Sequence, residues 1–157
     1  REFRKGFSLL LCPGHNFINH QISRCVVMRR RLYQRQKEMG RFWFCGRKNL
    51  RVITGKETLF TIPVEAIFNN HKKVFRSALT GVGPKTHQIP VIFIEPNTKI
   101  GDKPAFIQEL LTLAKSTPLT AGIEHIFIDK AFPVDIRHNS KIFREKLAVK
   151  AKKMLKL

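Results

Sequence analysis

Lys141 is the first residue whose type and setting suggest chemistry. It stands in "IRHNSKIFREK" (136–146), after an apolar Ala131-Phe132-Pro133 and a charged turn, where a basic helix should begin. A fixed ammonium can stabilise negative charge that builds up on a reacting anion. By spacing alone, though, a lysine ahead of a basic helix reads as a solvated charge. Arg47, between two short β-rich runs, reads by itself as half of a surface ion pair. Glu65 and His71 read as cap and helix-end residues, and His125 and His138 have no partner at ligand spacing, so no metal is assigned. Cys12, Cys25 and Cys45 are widely spaced with no CxxC pair, which argues against a zinc knuckle or a thioredoxin-type site. Reduced thiols in a cytoplasmic protein are the plain reading.

The elements that must position these residues are readable from about residue 41 onward. "RFWFCG" (41–46) predicts a short strand, and "LRVITGKETLFTIP" (50–63) holds two β-rich runs around Gly55-Lys56-Glu57, a hairpin pattern. Pro63 suits the first turn of a short helix, "PVEAIFNNH". "VFRSALTGVG" (74–83) and "IPVIFIEP" (89–96) predict strands separated by a Gly/Pro turn. Asp102 is expected to cap a helix with Pro104 in its first turn, and Phe106, Ile107, Leu110, Leu111 and Ala114 then recur at helical spacing. "IEHIFID" (123–129) predicts a third core strand. Asn139 or Ser140 is expected to cap a last helix. Its Phe143, Leu147, Ala151 and Met154 would form one apolar stripe, with Arg144, Lys146, Lys150, Lys152 and Lys153 on the other faces. The sum is a small α+β domain: an N-terminal β-hairpin, then a short mixed sheet flanked by helices. Residues 1–39 show no sustained period and are read as irregular.

The chain has 157 residues, enough for one domain with a real core, and 43% apolar against 26% charged residues is a globular balance. A net charge of +19 suits a nucleic-acid binder or a partner of acidic lipids or phosphates. It equally suits a piece of a larger protein whose remainder is acidic. The first residue is Arg1 rather than Met, so the chain is read as incomplete. "FSLLLC" (7–12) is short for a signal segment and is stopped by Pro13-Gly14. No run approaches the ~20 apolar residues of a membrane span, so no transmembrane segment is expected.

Three stretches carry a family resemblance: "GRFWFCGRK" (40–48), "PVEAIFNNHKKVFRSALTGVG" (63–83) and "FPVDIRHNSKIFREKLAV" (132–149). Together they resemble the C-terminal part of AMP-forming acyl ligases, the adenylate-forming superfamily. Within it they are most similar to the fatty-acid and acyl-CoA ligase branch that includes the β-lactone synthetases of long-chain olefin synthesis. The resemblance implies a small C-terminal lid domain that closes over a large N-terminal AMP-binding domain. It implies that Arg47, after Gly46, contacts the nucleotide ribose, and that the hinge falls at Lys48 or Asn49. Pro63, Glu65 and His71 match the family's helix start and the turn that follows. The family's Gly-Lys-Ile-x-Arg turn matches Ser140-Lys141-Ile142-Phe143-Arg144, with serine in place of glycine and a longer turn after Pro133. Lys141 would then meet the carboxylate and the α-phosphate during adenylation. Adenylation brings two anions together, and an ammonium near both oxygens stabilises that state more than the ground state. A donor on a mobile turn can also be withdrawn for a second half-reaction. By this reading residues 40–49 are the last strand and hinge, and residues 50–157 the lid.

The family's acidic nucleotide motif is expected just before "GRFWFCG", but "RRRLYQRQK" (29–37) stands there. One legal coding of Arg29 to Lys37 is CGA CGT CGG TTA TAT CAA CGA CAA AAG. Read one base later, it gives Asp-Val-Gly-Tyr-Ile-Asn-Asp-Lys, which meets the family pattern; the codon before it would give cysteine where glycine is expected. Residues 1 to 38 or so are therefore read as a translated frameshift of the end of the large domain, and Arg29–Arg31 as its product. An arginine-rich nucleic-acid tail is the competing reading.

The resemblance implies ATP, Mg2+ and a medium- or long-chain carboxylic acid, with CoA thioester or β-lactone formation after acyl-AMP. The phosphate-binding loop and the acyl pocket are not in this chain, so the fragment is expected to bind none of these cofactors alone and to lack adenylation activity. The alternative is a basic nucleic-acid-binding module. Against it, the basic residues are scattered, and Phe93 and Phe127 lie in apolar runs rather than among arginines for base stacking. A third reading makes the last helix a membrane-surface anchor through Lys150, Lys152, Lys153 and Lys156; docking of that helix on the domain's own sheet competes with it.

Overall fold

Alternate side chains of "VIFI" (91–94) leave the backbone on opposite sides, and all four are buried. That pattern requires a sheet covered on both faces. The computed structural model of the protein describes residues 25–28, 31–35 and 42–157 and contains such a sheet.

In chain order, β1 (Cys25–Met28), β2 (Arg31–Arg35) and β3 (Phe42–Arg47) form an antiparallel sheet in the order β1-β2-β3. A 3-10 turn, Lys48–Leu50, leads to the hairpin of β4 (Val52–Ile53) and β5 (Thr58–Leu59). Helix α1 (Thr61–Asn69) follows, then β6 (Val74–Val82), β7 (Ile89–Pro96), α2 (Lys103–Lys115) and β8 (His125–Ile128). The central sheet runs β6-β7-β8, antiparallel between the first two and parallel between the last two. The parallel step requires a crossover, and α2 supplies it. The chain ends with a hairpin of β9 (Val134–Asp135) and β10 (His138–Ile142), then α3 (Arg144–Met154).

One core joins Leu79, Ile92, Ile94 and Ile126 to Val64 and Phe68 of α1 and Phe106, Leu110 and Ala114 of α2. The other joins Ala78, Val82, Val91 and Phe93 to Leu147 and Ala151 of α3. Burying each large side chain stabilises the fold by roughly 1.5–3 kcal/mol. The fold is α+β, with helices on both faces of a short mixed sheet, as the residue pattern predicts.

Asp102 caps α2: its Oδ1 accepts a hydrogen bond from the Ala105 amide at 3.0 Å, and Pro104 sits in the first turn, where no N–H is needed. Thr120 Oγ1 donates to the Ala114 carbonyl at 2.7 Å, satisfying one group at the other end. Helix α1 starts at Thr61, two residues before Pro63, so the proline lies inside the first turn rather than opening it.

The structure corrects the reading of the last helix. Residues 138–142 form a strand, and α3 begins only at Arg144 with no side-chain cap, so neither Asn139 nor Ser140 caps it. Pairing wins because the Phe143 amide donates to the Pro133 carbonyl at 2.8 Å, while Val134 and Ile142 pack on the sheet. The stripe of α3 holds at Leu147 and Ala151, but Met154 is 47% exposed and Leu155 packs on the core in its place.

Two strands, β1 and β2, lie within the stretch read as irregular. A lone β3 would present a row of unpaired backbone groups, and β2 covers that edge. The rest of residues 1–39 lies outside the described residues.

Candidate active site

Lys141 stands on β10, on a hairpin whose turn is Ile136-Arg137. The base of this hairpin is tied to the core at several points. The Phe132 amide donates to Glu95 Oε2 at 2.8 Å. Arg76 Nε donates to the same oxygen at 2.8 Å, so the buried Glu95 carboxylate has a compensating charge. The Arg76 guanidinium lies 5.3 Å from the centroid of the Phe75 ring and 5.4 Å from that of Phe132. On the other strand the Phe143–Pro133 backbone bond closes the base.

Beyond that base the hairpin is open. Ile136 is 98% exposed. Half of the Lys141 side chain is exposed; its Nζ lies 3.3 Å from Asp135 Oδ2 and 5.9 Å from the centroid of the Phe143 ring. The Asp135 carboxylate also accepts the Arg137 amide at Oδ1, at 3.0 Å. The Arg137 N–H, and after it Lys141, hold the Asp135 carboxyl below the ordinary aspartate value.

Arg144 is where the sequence reading fails most. The helical pattern predicts it on an outer face of the last helix, but it points inward. Its two terminal nitrogens reach the two carboxylate oxygens of Glu65, at 2.5 and 3.1 Å, and Nη1 also donates to the Leu79 carbonyl at 3.0 Å. Glu65 Oε1 in turn accepts the Leu79 amide at 2.7 Å. Burial pushes the Glu65 carboxyl up from its ordinary value, and Arg144 and the Leu79 N–H oppose that push. The forked pair ties the start of α3, three residues after Lys141, to α1 and to the backbone of β6. Glu65 is thus structural, as read, but it is a buried strut rather than a cap. The sequence signals are the arginine three residues after the lysine and the family match at Glu65, and neither states that the two pair.

Arg47 ends β3, and Lys48 and Asn49 occupy the 3-10 turn after it; all three are exposed. Backbone on either side of the turn is extended. Gly46 has φ +125°, and a Cβ there would come within 2.5 Å of Thr61 Oγ1 at the start of α1, so only glycine fits. No hydrogen bond or ion pair joins Arg47 to Lys141 among the described residues. His71 is partnered, with Nε2 3.0 Å from Glu109 Oε1 and Nδ1 accepting the Lys73 amide at 3.2 Å, which is a helix-end role. Among the described residues no group of three His, Cys, Asp or Glu side chains could hold a metal ion.

Two shallow clefts, of about 250 and 380 Å3, lie beside Lys73 and Glu109 and include neither Lys141 nor Arg47. Lys141 and Arg47 are both exposed. An exposed ammonium on a braced hairpin can neutralise an anion, but water screens it until another surface covers it.

Comparison with known proteins gives the fold and the family. By fold the chain matches a solved anthranilate CoA ligase in complex with anthranoyl-AMP, with a TM-score of 0.68 and 21% identity over 82% of this chain and 25% of that one. By sequence it is similar to two enzymes named olefin beta-lactone synthetase. One, from Stenotrophomonas maltophilia, is 48% identical over 110 residues, 70% of this chain and 20% of that protein. The other, from Xanthomonas campestris, is 47% identical over 113 residues, with the same shares. No family model matches. The chain belongs to the AMP-forming acyl ligases of the adenylate-forming superfamily, as a C-terminal part, and it spans about a fifth of the length of the curated relatives it matches.

Proposed function

We propose that this chain is the lid of an ATP-dependent ligase that activates a fatty acid as acyl-AMP. In that reaction the acid's carboxylate oxygen bonds to the α-phosphorus of ATP as the bond to pyrophosphate breaks. Charge accumulates on the phosphoryl oxygens in the transition state, and Lys141 supplies the fixed positive charge beside them. The observation that carries this reading is the placement of Lys141: exposed at an open hairpin, yet braced at the base by Glu95 and by the Arg144–Glu65 strut. Arg47 would contact the ribose, and the exposed turn at Lys48 and Asn49 would serve as the hinge. The large AMP-binding domain would supply the acyl pocket, the phosphate loop and the Mg2+ site. The acceptor that follows, CoA or the substrate's own 3-hydroxyl, acts after this step, in the cytoplasm.

A nucleic-acid role has less behind it. Phe93 is buried in the core, so its ring is not available to stack on a base, and the partly buried Phe127 packs against it with ring centroids 5.6 Å apart. Among the described residues no helix is long and apolar enough to cross a membrane.

The test is a chimera in which residues 42–157 replace the matching segment of a full-length relative. ATP–pyrophosphate exchange should return in the chimera and be absent from this chain alone. Lys141→Ala in the chimera should cut exchange about 10²–10³-fold, as loss of one transition-state charge contact does. Turnover by the isolated chain, or an unaffected Lys141→Ala chimera, would overturn the reading. For residues 1–38 the gene's DNA decides between a frameshift and a genuine basic segment.

A further inference from the structure

The two oxygens of Asp135 do different work. Oδ1 accepts the Arg137 amide at 3.0 Å and closes the hairpin turn; Oδ2 lies 3.3 Å from the Lys141 ammonium across the same hairpin. The carboxylate is thereby fixed by the backbone before it meets the lysine. Lys141 also lies beside the Phe143 ring, so a carboxylate and an aromatic face together define where the ammonium sits. We propose that Asp135 is the positioning residue of Lys141: its free oxygen holds the ammonium at the hairpin, and an incoming carboxylate or phosphate displaces that oxygen. The exchange substitutes one anion for another, so the ammonium has a partner before and after. The displacement step rests on the role given to Lys141 above; the holding step does not.

Competitive acetylation of the 157-residue chain, read by mass spectrometry, tests the holding step, with Lys48 as an exposed reference. Asp135→Asn keeps an acceptor oxygen for the Arg137 amide and removes only the charge. Labelling of Lys141 relative to Lys48 should rise about 1.4- to 5-fold, the range for exposed ion pairs, with no more than a slight fall in the thermal midpoint. In the unsubstituted chain the same ratio should rise with added salt as the pair is screened. A ratio unmoved by both changes would overturn the proposal. Asp135 would then serve the turn alone. Failure of the exchange assay with an intact labelling response would instead count against the ligase reading only.

Discussion

The central sheet and the Lys141 hairpin are built on opposite principles. Strands β6, β7 and β8 are covered on both faces, and Phe93, Ile92 and Ile94 have no exposed surface. The β9–β10 hairpin has a nearly bare tip; its root is held by packing of Phe132, Val134 and Ile142 and by directed bonds, Glu95 to the Phe132 amide and Arg144 to Glu65. Apolar packing is non-directional and penalises only buried polar groups left without a partner, so it suits a scaffold. The exposed tip of the hairpin has no such cover, and directed bonds from the scaffold add to the packing at its base.

The largest expected effect lies at the junction. Arg144→Met leaves the Glu65 carboxylate buried without its partner, and loss of one partner of a buried pair costs about 3–5 kcal/mol; chemical denaturation should show it. Glu65→Leu combined with Arg144→Met should recover much of that loss. A double variant as unstable as the single one would mean that the strut is not a pair. Next comes Gly46→Ala, which forces an alanine to φ +125° against Thr61. A cost of about 1–3 kcal/mol is expected from the backbone strain alone, read as a lowered thermal midpoint.

Inside the hairpin the effects are smaller and depend on pH. The folded-state value of Asp135 lies below its unfolded one, so its contribution is fully present above the unfolded value of 3.8 and is lost as pH falls through the folded value. Asp135→Asn should therefore lower the midpoint slightly at pH 7 and leave it unchanged well below pH 3.8. Equal losses at both pH values would assign the effect to the turn. Ile136→Ser, at the bare tip, should move stability by no more than about 0.5 kcal/mol. A larger loss in thermal melts would mean that the tip packs on something, against the open-hairpin contrast.

The scaffold was readable because its signals are local. The apolar runs at 74–83 and 89–96 with the Gly/Pro turn between them, the helical spacing from Phe106 to Ala114, and the Asp102–Pro104 cap each state their element within a dozen residues. The hairpin was not readable in the same way. "HNSKI" carries a helix-start signal, and it is a strand because Pro133, more distant in the chain, offers its carbonyl to Phe143. The motif around Lys141 marks the residue as a candidate while misplacing its element.

Sequence alone therefore sufficed for the α+β class, the order of the core elements, the family, and Lys141 and Arg47 as candidates. All of these rest on residue type and short-range spacing. The Arg144–Glu65 strut spans 79 positions, and the Glu95–Phe132 tie spans 37. Only the closed sheet brings such groups within bonding distance, and only burial turns a surface-type arginine into a brace. Charges far apart in the chain state no preference for one another until the core has removed water from between them.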